Sequence, residues 1–172
     1  MWYIIQTDED KIEKNINKVE KLLVNTAKAV FSPNRTIEKK YQGAWHSEIK
    51  PLFPGYIFID SEASAENIED ALTVLINTNA VKPVYIGGVF APIKEAEQSI
   101  LSSLLDSHYV ISKSVGDIID GKLIVSKGPL KEKENIVSKI DRHKRIATIT
   151  LPLTEESQKM MVALEVVNKT TK

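Results

Sequence analysis

The chain has 172 residues, with equal numbers of acidic and basic side chains, 42% hydrophobic residues and no cysteine. This composition is typical of a soluble globular protein with one or two small domains, and it excludes disulfides, thiolate zinc sites and a cysteine nucleophile. No run approaches the roughly 20 apolar residues that a membrane span needs, and the N-terminus lacks the features of a signal peptide. We therefore expect a cytoplasmic protein.

The first hundred residues alternate strand patterns with amphipathic helix patterns. The predicted elements are, in chain order, strand 2–6, helix 12–23, strand 27–31, a hairpin over 36–45, strand 56–59, helix 65–76, strand 81–86 and a helix that Pro92 opens. This order predicts an α+β fold, an α/β sandwich with helices packed on a sheet, over residues 1–106. Residues 107–116 lack clear periodicity, and we expect them to form a linker.

The stretch from Pro51 to Asp60 organises this first domain. Two prolines constrain the turn, and Gly55 permits a backbone geometry that a Cβ would resist. The apolar run from Tyr56 onward predicts a short central strand that is buried on both faces. Phe53 and Tyr56 lie at its start, where aromatic side chains can be partly exposed.

From Asp117 the pattern changes to short strands separated by turns. The predicted strands are 123–126, 136–140, 146–151 and 162–167. Short strands at this spacing predict a small β-barrel over residues 117–172. We interpret Thr154–Val167 as a turn of helix followed by a strand, because its first half favours helix by propensity.

We find no set of residues that predicts catalysis. His46, His108 and His143 are scattered and lack metal-ligand spacing, and no nucleophile or zinc-protease motif occurs. Most carboxylates lie among lysines on helix faces. We therefore expect a protein that is not an enzyme, with no catalytic residue, no bound metal and no cofactor.

A basic block stands out in the C-terminal region. Residues 122–145 carry eight Lys and Arg against three Asp and Glu. Side chains in such a block can contact phosphates and base edges. No aromatic residue is interleaved with it, which disfavours a stacking platform for single strands and favours structured RNA. The candidate RNA-binding residues are Lys127, Lys131, Lys133, Arg142, His143, Lys144 and Arg145.

Three motifs stand out along the chain: Trp2-Tyr3-Ile4-Ile5-Gln6, Leu52-Phe53-Pro54-Gly55-Tyr56-Ile57-Phe58-Ile59 and Gly128-Pro129-Leu130. Their order resembles the order seen in NusG-type transcription elongation factors. The chain resembles this family over nearly its whole length, and the last motif resembles the Gly-Pro turn of a KOW domain. Asn135 replaces a second glycine of that domain, and we expect it to adopt the left-handed conformation instead. Residues 140–147 most resemble the LoaP branch of specialised paralogues.

The resemblance implies a fold, a function and two partners. The fold is a NusG-type N-terminal α/β sandwich domain followed by a small KOW β-barrel. The N-terminal domain would bind the clamp helices of RNA polymerase through Trp2, Phe53 and Tyr56, although Trp2 and Phe53 also fit a core role. The KOW domain would bind a hairpin of the nascent RNA, so that the protein suppresses pausing and termination. We expect a monomer, and contact with non-template DNA stays open.

Three alternatives remain. A housekeeping NusG would use its KOW domain to bind a termination factor or a ribosomal protein. A nucleic-acid-modifying enzyme would carry a KOW-like appendage. In the third alternative, the helical propensity of Thr154–Val167 reflects a C-terminal domain that switches to a helical form and covers the clamp-binding surface.

Overall fold

The computed structural model describes residues 1–154 and 156–171. Position 155 of the predicted helical turn and the last residue of the predicted barrel therefore lie outside the described residues. The helices of the described chain are α1 Ile12–Leu22, α2 Ala65–Ala71, α3 Thr73–Asn77 and α4 Glu95–Leu104. The strands are β1 Trp2–Gln6, β2 Ala27–Phe31, β3 Asn34–Tyr41, β4 Ala44–Pro51, β5 Tyr56–Ser61, β6 Lys82–Pro83, β7 Tyr85–Ile86, β8 Val89–Phe90, β9 Val110–Ile111, β10 Ser114–Ile119, β11 Lys122–Lys127, β12 Val137–Asp141, β13 Ile146–Leu153 and β14 Glu156–Thr170.

The chain divides into two compact units, and neither is one continuous segment. The first contains Met1–Pro33 and Phe53–Ser99, with Leu153 and Thr154. The second contains Asn34–Leu52, Ile100–Pro152 and 156–171. The β3–β4 hairpin, which the sequence placed in the N-terminal domain, thus belongs to the second unit. No described helix is long and apolar enough to span a membrane.

The first unit is built on a four-stranded antiparallel sheet with the order β2-β5-β1-β6. The register pairs Ile4 with Phe58 and Ile5 with Ile57 across β1 and β5. Ile57, Phe58 and Ile59 are fully buried, because both faces of this central strand are covered. The prediction of a central strand buried on both faces is confirmed.

The turn before β5 depends on Gly55. Its φ is +82°, and a Cβ at this position would lie 2.7 Å from the backbone oxygen of Thr7. The Thr7 amide also donates a 2.8 Å hydrogen bond to the Gly55 carbonyl. The turn therefore requires a residue without a side chain, as predicted.

The helices begin close to, but not always at, the predicted positions. Ser64 caps α2, and its hydroxyl accepts a hydrogen bond from the Asn67 amide, as is typical of a serine N-cap. The helix predicted to open at Pro92 begins at Glu95 instead. The Ile93 amide donates to the Trp2 carbonyl, so the residues after Pro92 bond to β1 before the helix starts.

The second unit contains two sheets. One has the order β4-β3-β9 and the other the order β11-β10-β14-β13-β12. All four predicted C-terminal strands are present. In the described chain, β11 and β12 are the edge strands of the larger sheet, so closure into a barrel is not confirmed. The predicted linker contains β9 and the start of β10, while the assignment of roles to domains 1–106 and 117–172 stays a prediction.

Two local predictions in this unit are wrong. Residues 156–170 form one long strand rather than a helical turn and a strand. Met160, Val162 and Leu164 are buried at every second position, and this two-residue period overrides helix propensity when neighbouring strands are available for pairing. Asn135 lies in a 3₁₀ turn, and the left-handed residue of this segment is Glu132, with φ +65°.

We predict that Gly55→Ala destabilises the protein by about 1–3 kcal/mol more than Gly88→Ala, because a forced clash adds to the cost of a positive φ. Gly88 is a matched control, since its φ is +81° and a Cβ there would meet nothing within 4 Å. The free energy of unfolding in urea measures both variants. Equal losses would show that the Thr7 carbonyl does not restrict this turn.

Candidate functional site

The three predicted polymerase-binding residues belong to one aromatic cluster in the first unit. Phe53 stacks on Tyr56 with ring centroids 6.2 Å apart and on Phe58 at 5.7 Å. Trp2 contacts Phe58 edge-on at 6.0 Å, and Phe31 packs against both. Phe31 and Phe58 were not predicted as members of the site, because in the sequence they resemble ordinary strand residues.

The residues of this cluster differ in how much of each side chain is exposed to solvent. Trp2 and Phe53 are buried, at 5% and 4% exposed, whereas Tyr56 is half-buried. The expectation that Phe53 is partly exposed is therefore wrong, because Phe53 stacks on both Tyr56 and Phe58. The Tyr56 amide donates to the Phe53 carbonyl, and the Ser32 hydroxyl donates to the Tyr56 carbonyl. Tyr56 is thus the accessible residue of the cluster, and hydrogen bonds fix its backbone.

The second candidate surface is the turn between β12 and β13, which we call the basic turn (residues 142–145). The Asp141 carboxylate accepts a 3.0 Å hydrogen bond from the Lys144 amide, an arrangement that favours a tight turn. Arg145 closes the turn in the left-handed region at φ +54°. Arg142, His143 and Lys144 are exposed as a result.

Arg145 behaves differently from its three neighbours. Its guanidinium lies 3.2 Å from the Glu38 carboxylate and 3.4 Å from that of Glu165. Lys113 bridges the same two carboxylates, at 3.2 Å from Glu38 and 2.9 Å from Glu165. We call this closed arrangement of two cations and two anions the ionic ring.

The ionic ring is partly removed from water. The Glu38 side chain is 5% exposed, and the other three are 23–32% exposed. The hydrogen bond from Lys113 lowers the pKa of Glu165, and the charges of Arg145 and Lys127 act in the same direction. The same hydrogen bond raises the pKa of Lys113. Both shifts favour the charged forms, as expected of a satisfied ion-pair network.

The β3–β4 hairpin supplies the other contacts of the basic turn. Arg145 stacks over the Trp45 ring, with 4.4 Å from its guanidinium carbon to the ring centroid. Arg35 of β3 donates to the Met161 carbonyl of β14. Between hairpin and turn lies a cavity of about 570 Å³, lined by Arg35, Ile37, Glu38, Lys39, Lys40, Tyr41, Trp45, His143, Lys144, Arg145, Ile146, Met161, Val162 and Ala163.

The remaining predicted RNA-binding residues lie away from this cavity. Lys127, at the end of β11, pairs with Val115 of β10, which in turn pairs with Glu165 of β14. Lys127 therefore lies at the same end of the sheet as Glu165, the ion-pair partner of Arg145. Lys131 and Lys133 follow in the next turn, which the Lys131 amide closes by donating to the Gly128 carbonyl. The structure therefore places three of the seven predicted residues at the cavity, namely His143, Lys144 and Arg145. Arg142 lies beside them on the basic turn, Lys127 lies at the end of β11, and Lys131 and Lys133 lie on a separate turn.

The described residues hold no group of three or more His, Asp or Glu side chains arranged to bind a metal ion. What the second unit offers is a set of cations next to aromatic rings. Such an arrangement is suited to binding anions with flat rings.

A protein-family model matches the N-terminal part of the chain. The family described as "Transcription termination factor nusG" matches residues 1–102. No curated protein matches the chain. The matched segment contains the whole aromatic cluster and ends before β9.

We predict that Arg145→Ala lowers the free energy of unfolding by about 1–3 kcal/mol, because it removes one of the two cations that bind the buried Glu38 carboxylate. Arg142→Ala is the matched control, since Arg142 is exposed and forms no ion pair with any described residue. The free energy of unfolding of Arg142→Ala should stay within about 0.5 kcal/mol of wild type. Unfolding in urea measures both, and similar values would contradict a structural role for the ionic ring.

Proposed function

The chain belongs to the NusG family of transcription factors, and on that premise we propose that it is a specialised antitermination factor with two binding surfaces. The first unit binds the clamp helices of RNA polymerase, and the second binds a hairpin of the nascent RNA. Linked in this way, the protein holds the polymerase in a state that resists pausing and termination, and it does so without catalysis or a cofactor. It acts as a monomer.

The family match supports the polymerase side. NusG proteins generally bind RNA polymerase, and the matched residues 1–102 include Trp2, Phe53 and Tyr56. An aromatic residue whose ring is held rigid by packing on a buried side chain is a typical anchor for a partner helix. Tyr56 meets that description, since Phe53 stacks against it and hydrogen bonds fix its backbone. Trp2 and Phe53 act by positioning it.

We predict that Tyr56→Ala weakens binding to purified RNA polymerase by about tenfold, because it removes the half-buried but accessible aromatic anchor without opening the core. Tyr85→Ala is the control, since Tyr85 is 59% exposed and belongs to the same unit. Its affinity should stay within about twofold of wild type. Biolayer interferometry with full-length protein measures both, and equal affinities for the two variants would contradict the assignment.

The basic turn supports the RNA side. Arg142, His143 and Lys144 are exposed together, and no described carboxylate pairs with Arg142 or Lys144. These side chains can therefore reach phosphates without first breaking an ion pair. Lys127, at the end of β11, and Lys131 and Lys133, on the following turn, add further positive charge to this unit, while Arg145 is held in the ionic ring and contributes through the plane of its guanidinium.

We predict that the double variant Arg142→Ala/Lys144→Ala lowers the slope of log affinity against log salt by about two, one per lost phosphate contact. The assay titrates full-length protein with a leader RNA hairpin from the host and with a scrambled RNA. Lys18→Ala/Lys21→Ala is the charge-matched control, because both lysines are exposed on α1 and form no ion pair with a described residue. An unchanged slope in the first variant would exclude the basic turn as the RNA-binding surface.

The housekeeping alternative differs in a measurable way. A factor that binds a termination protein or a ribosomal protein does not need eight basic residues within residues 122–145. Strong preference for the hairpin over the scrambled RNA supports the specialised role. Weak and equal binding to both RNAs supports the housekeeping one.

A further inference from the structure

We infer that the cavity between the β3–β4 hairpin and the basic turn binds one unpaired nucleotide of an RNA, with the base inside the cavity and its phosphates on Lys40 and Lys144. This inference rests on the proposed RNA binding. The inference specifies which part of the RNA is recognised. It also makes the β3–β4 hairpin of the protein a component of the RNA-binding surface.

The cavity has the size and the walls that a base requires. Its volume of about 570 Å³ falls within the roughly 300–1,000 Å³ of typical ligand sites. Met161 and Ile37 contribute apolar surface, and Tyr41 and Trp45 contribute rings. A flat heterocycle gains from stacking and from leaving water in such a site.

The planar groups of the cavity are already held in place. Arg145 lies over Trp45 and is fixed by Glu38 and Glu165. The Tyr41 ring stacks on His46 with centroids 3.6 Å apart and 10° between the planes. Because these groups are ordered before binding, a base that stacks on them loses less free energy to side-chain ordering.

The charges around the cavity favour a phosphate. The Glu38 charge is neutralised by the ionic ring, and Lys39 is paired with Glu48 at 3.4 Å. Within the described chain, Lys40 and Lys144 have no carboxylate partner, and both are exposed. Phosphates next to the bound base would thus meet two available cations.

An unpaired nucleotide fits better than a paired one. A base within an A-form stem is stacked on its neighbours and does not offer its faces, whereas a bulged or loop base does. The basic block lacks aromatic residues in sequence, but the fold brings Tyr41 and Trp45 to it from about a hundred positions earlier. The sequence-based argument against a stacking platform therefore does not hold for the folded protein.

The test compares two RNA hairpins with the same stem and the same stable tetraloop. One carries a single bulged 2-aminopurine, and the other is fully paired. Affinity and 2-aminopurine fluorescence are measured with full-length wild-type protein and with Trp45→Ala, Trp45→Phe, Lys40→Ala and Lys139→Ala. Lys139 is the control, because it is exposed on β12 within the basic block and does not line the cavity.

We expect the bulged RNA to bind wild-type protein about tenfold more tightly than the paired RNA, with quenching of its 2-aminopurine. Trp45→Ala should remove this preference, and Trp45→Phe should retain it within about threefold because a ring remains. Lys40→Ala should weaken binding of the bulged RNA several-fold. It should leave the packing of the β3–β4 hairpin of the protein unchanged. Lys139→Ala should leave the preference unchanged.

Two results would overturn the inference, and they are distinguishable. Equal affinity for both RNAs, unchanged in Trp45→Ala, would exclude the cavity as a nucleotide site while leaving RNA binding intact. Absence of binding to either RNA at low salt would overturn the proposed RNA binding and the nucleotide site together.

Discussion

The second unit depends on the buried carboxylate of Glu38. Removing a carboxylate from water costs several kcal/mol unless cations and hydrogen bonds compensate it. Lys113 and Arg145 provide that compensation, and Glu165 binds both of them in turn. Four separate segments are thereby fixed to one another: β3, the residues before β10, the basic turn and β14. Together with the pairing of β3 and β9, the ionic ring holds the β3–β4 hairpin against β14 and the basic turn, and it thereby contributes to the shape of the adjoining cavity.

The same interaction separates the residues of the basic turn by role. Arg145 is bound on one side by carboxylates and covers Trp45 on the other. Within the described chain, its neighbours Arg142 and Lys144 form no ion pair with a carboxylate. The last residue of this short turn therefore serves stability, while the residues before it carry the proposed RNA binding. In the first unit, buried Phe53 likewise supports half-buried Tyr56, the residue proposed to contact the partner.

The sequence predicted what is encoded locally. The β5 strand, the Gly55 turn, the Ser64 cap and the order of elements in the first hundred residues follow from short-range patterns, and the structure contains them. The start of α4 and the course of β14 were predicted wrongly, because hydrogen bonds to distant strands overrode local propensity. The cavity was not predictable at all. It joins residues near position 40 to residues near 145 and 162, and no periodicity or motif in a single sequence records that juxtaposition.

The long separation of these contacts has a consequence for synthesis. Arg145 and Glu38 are 107 residues apart. At a translation rate of roughly 5–20 residues per second, Glu38 is made about 5–20 s before its first partner in the basic turn. Lys113 and β9, the strand that pairs with β3, are made before Arg145, so the hairpin acquires one cation and a neighbouring strand before the ionic ring can close. The first unit, whose sheet is complete once β6 is made, can form earlier. Most of the first unit can thus form before the second unit, whose larger sheet includes the C-terminal strand β14.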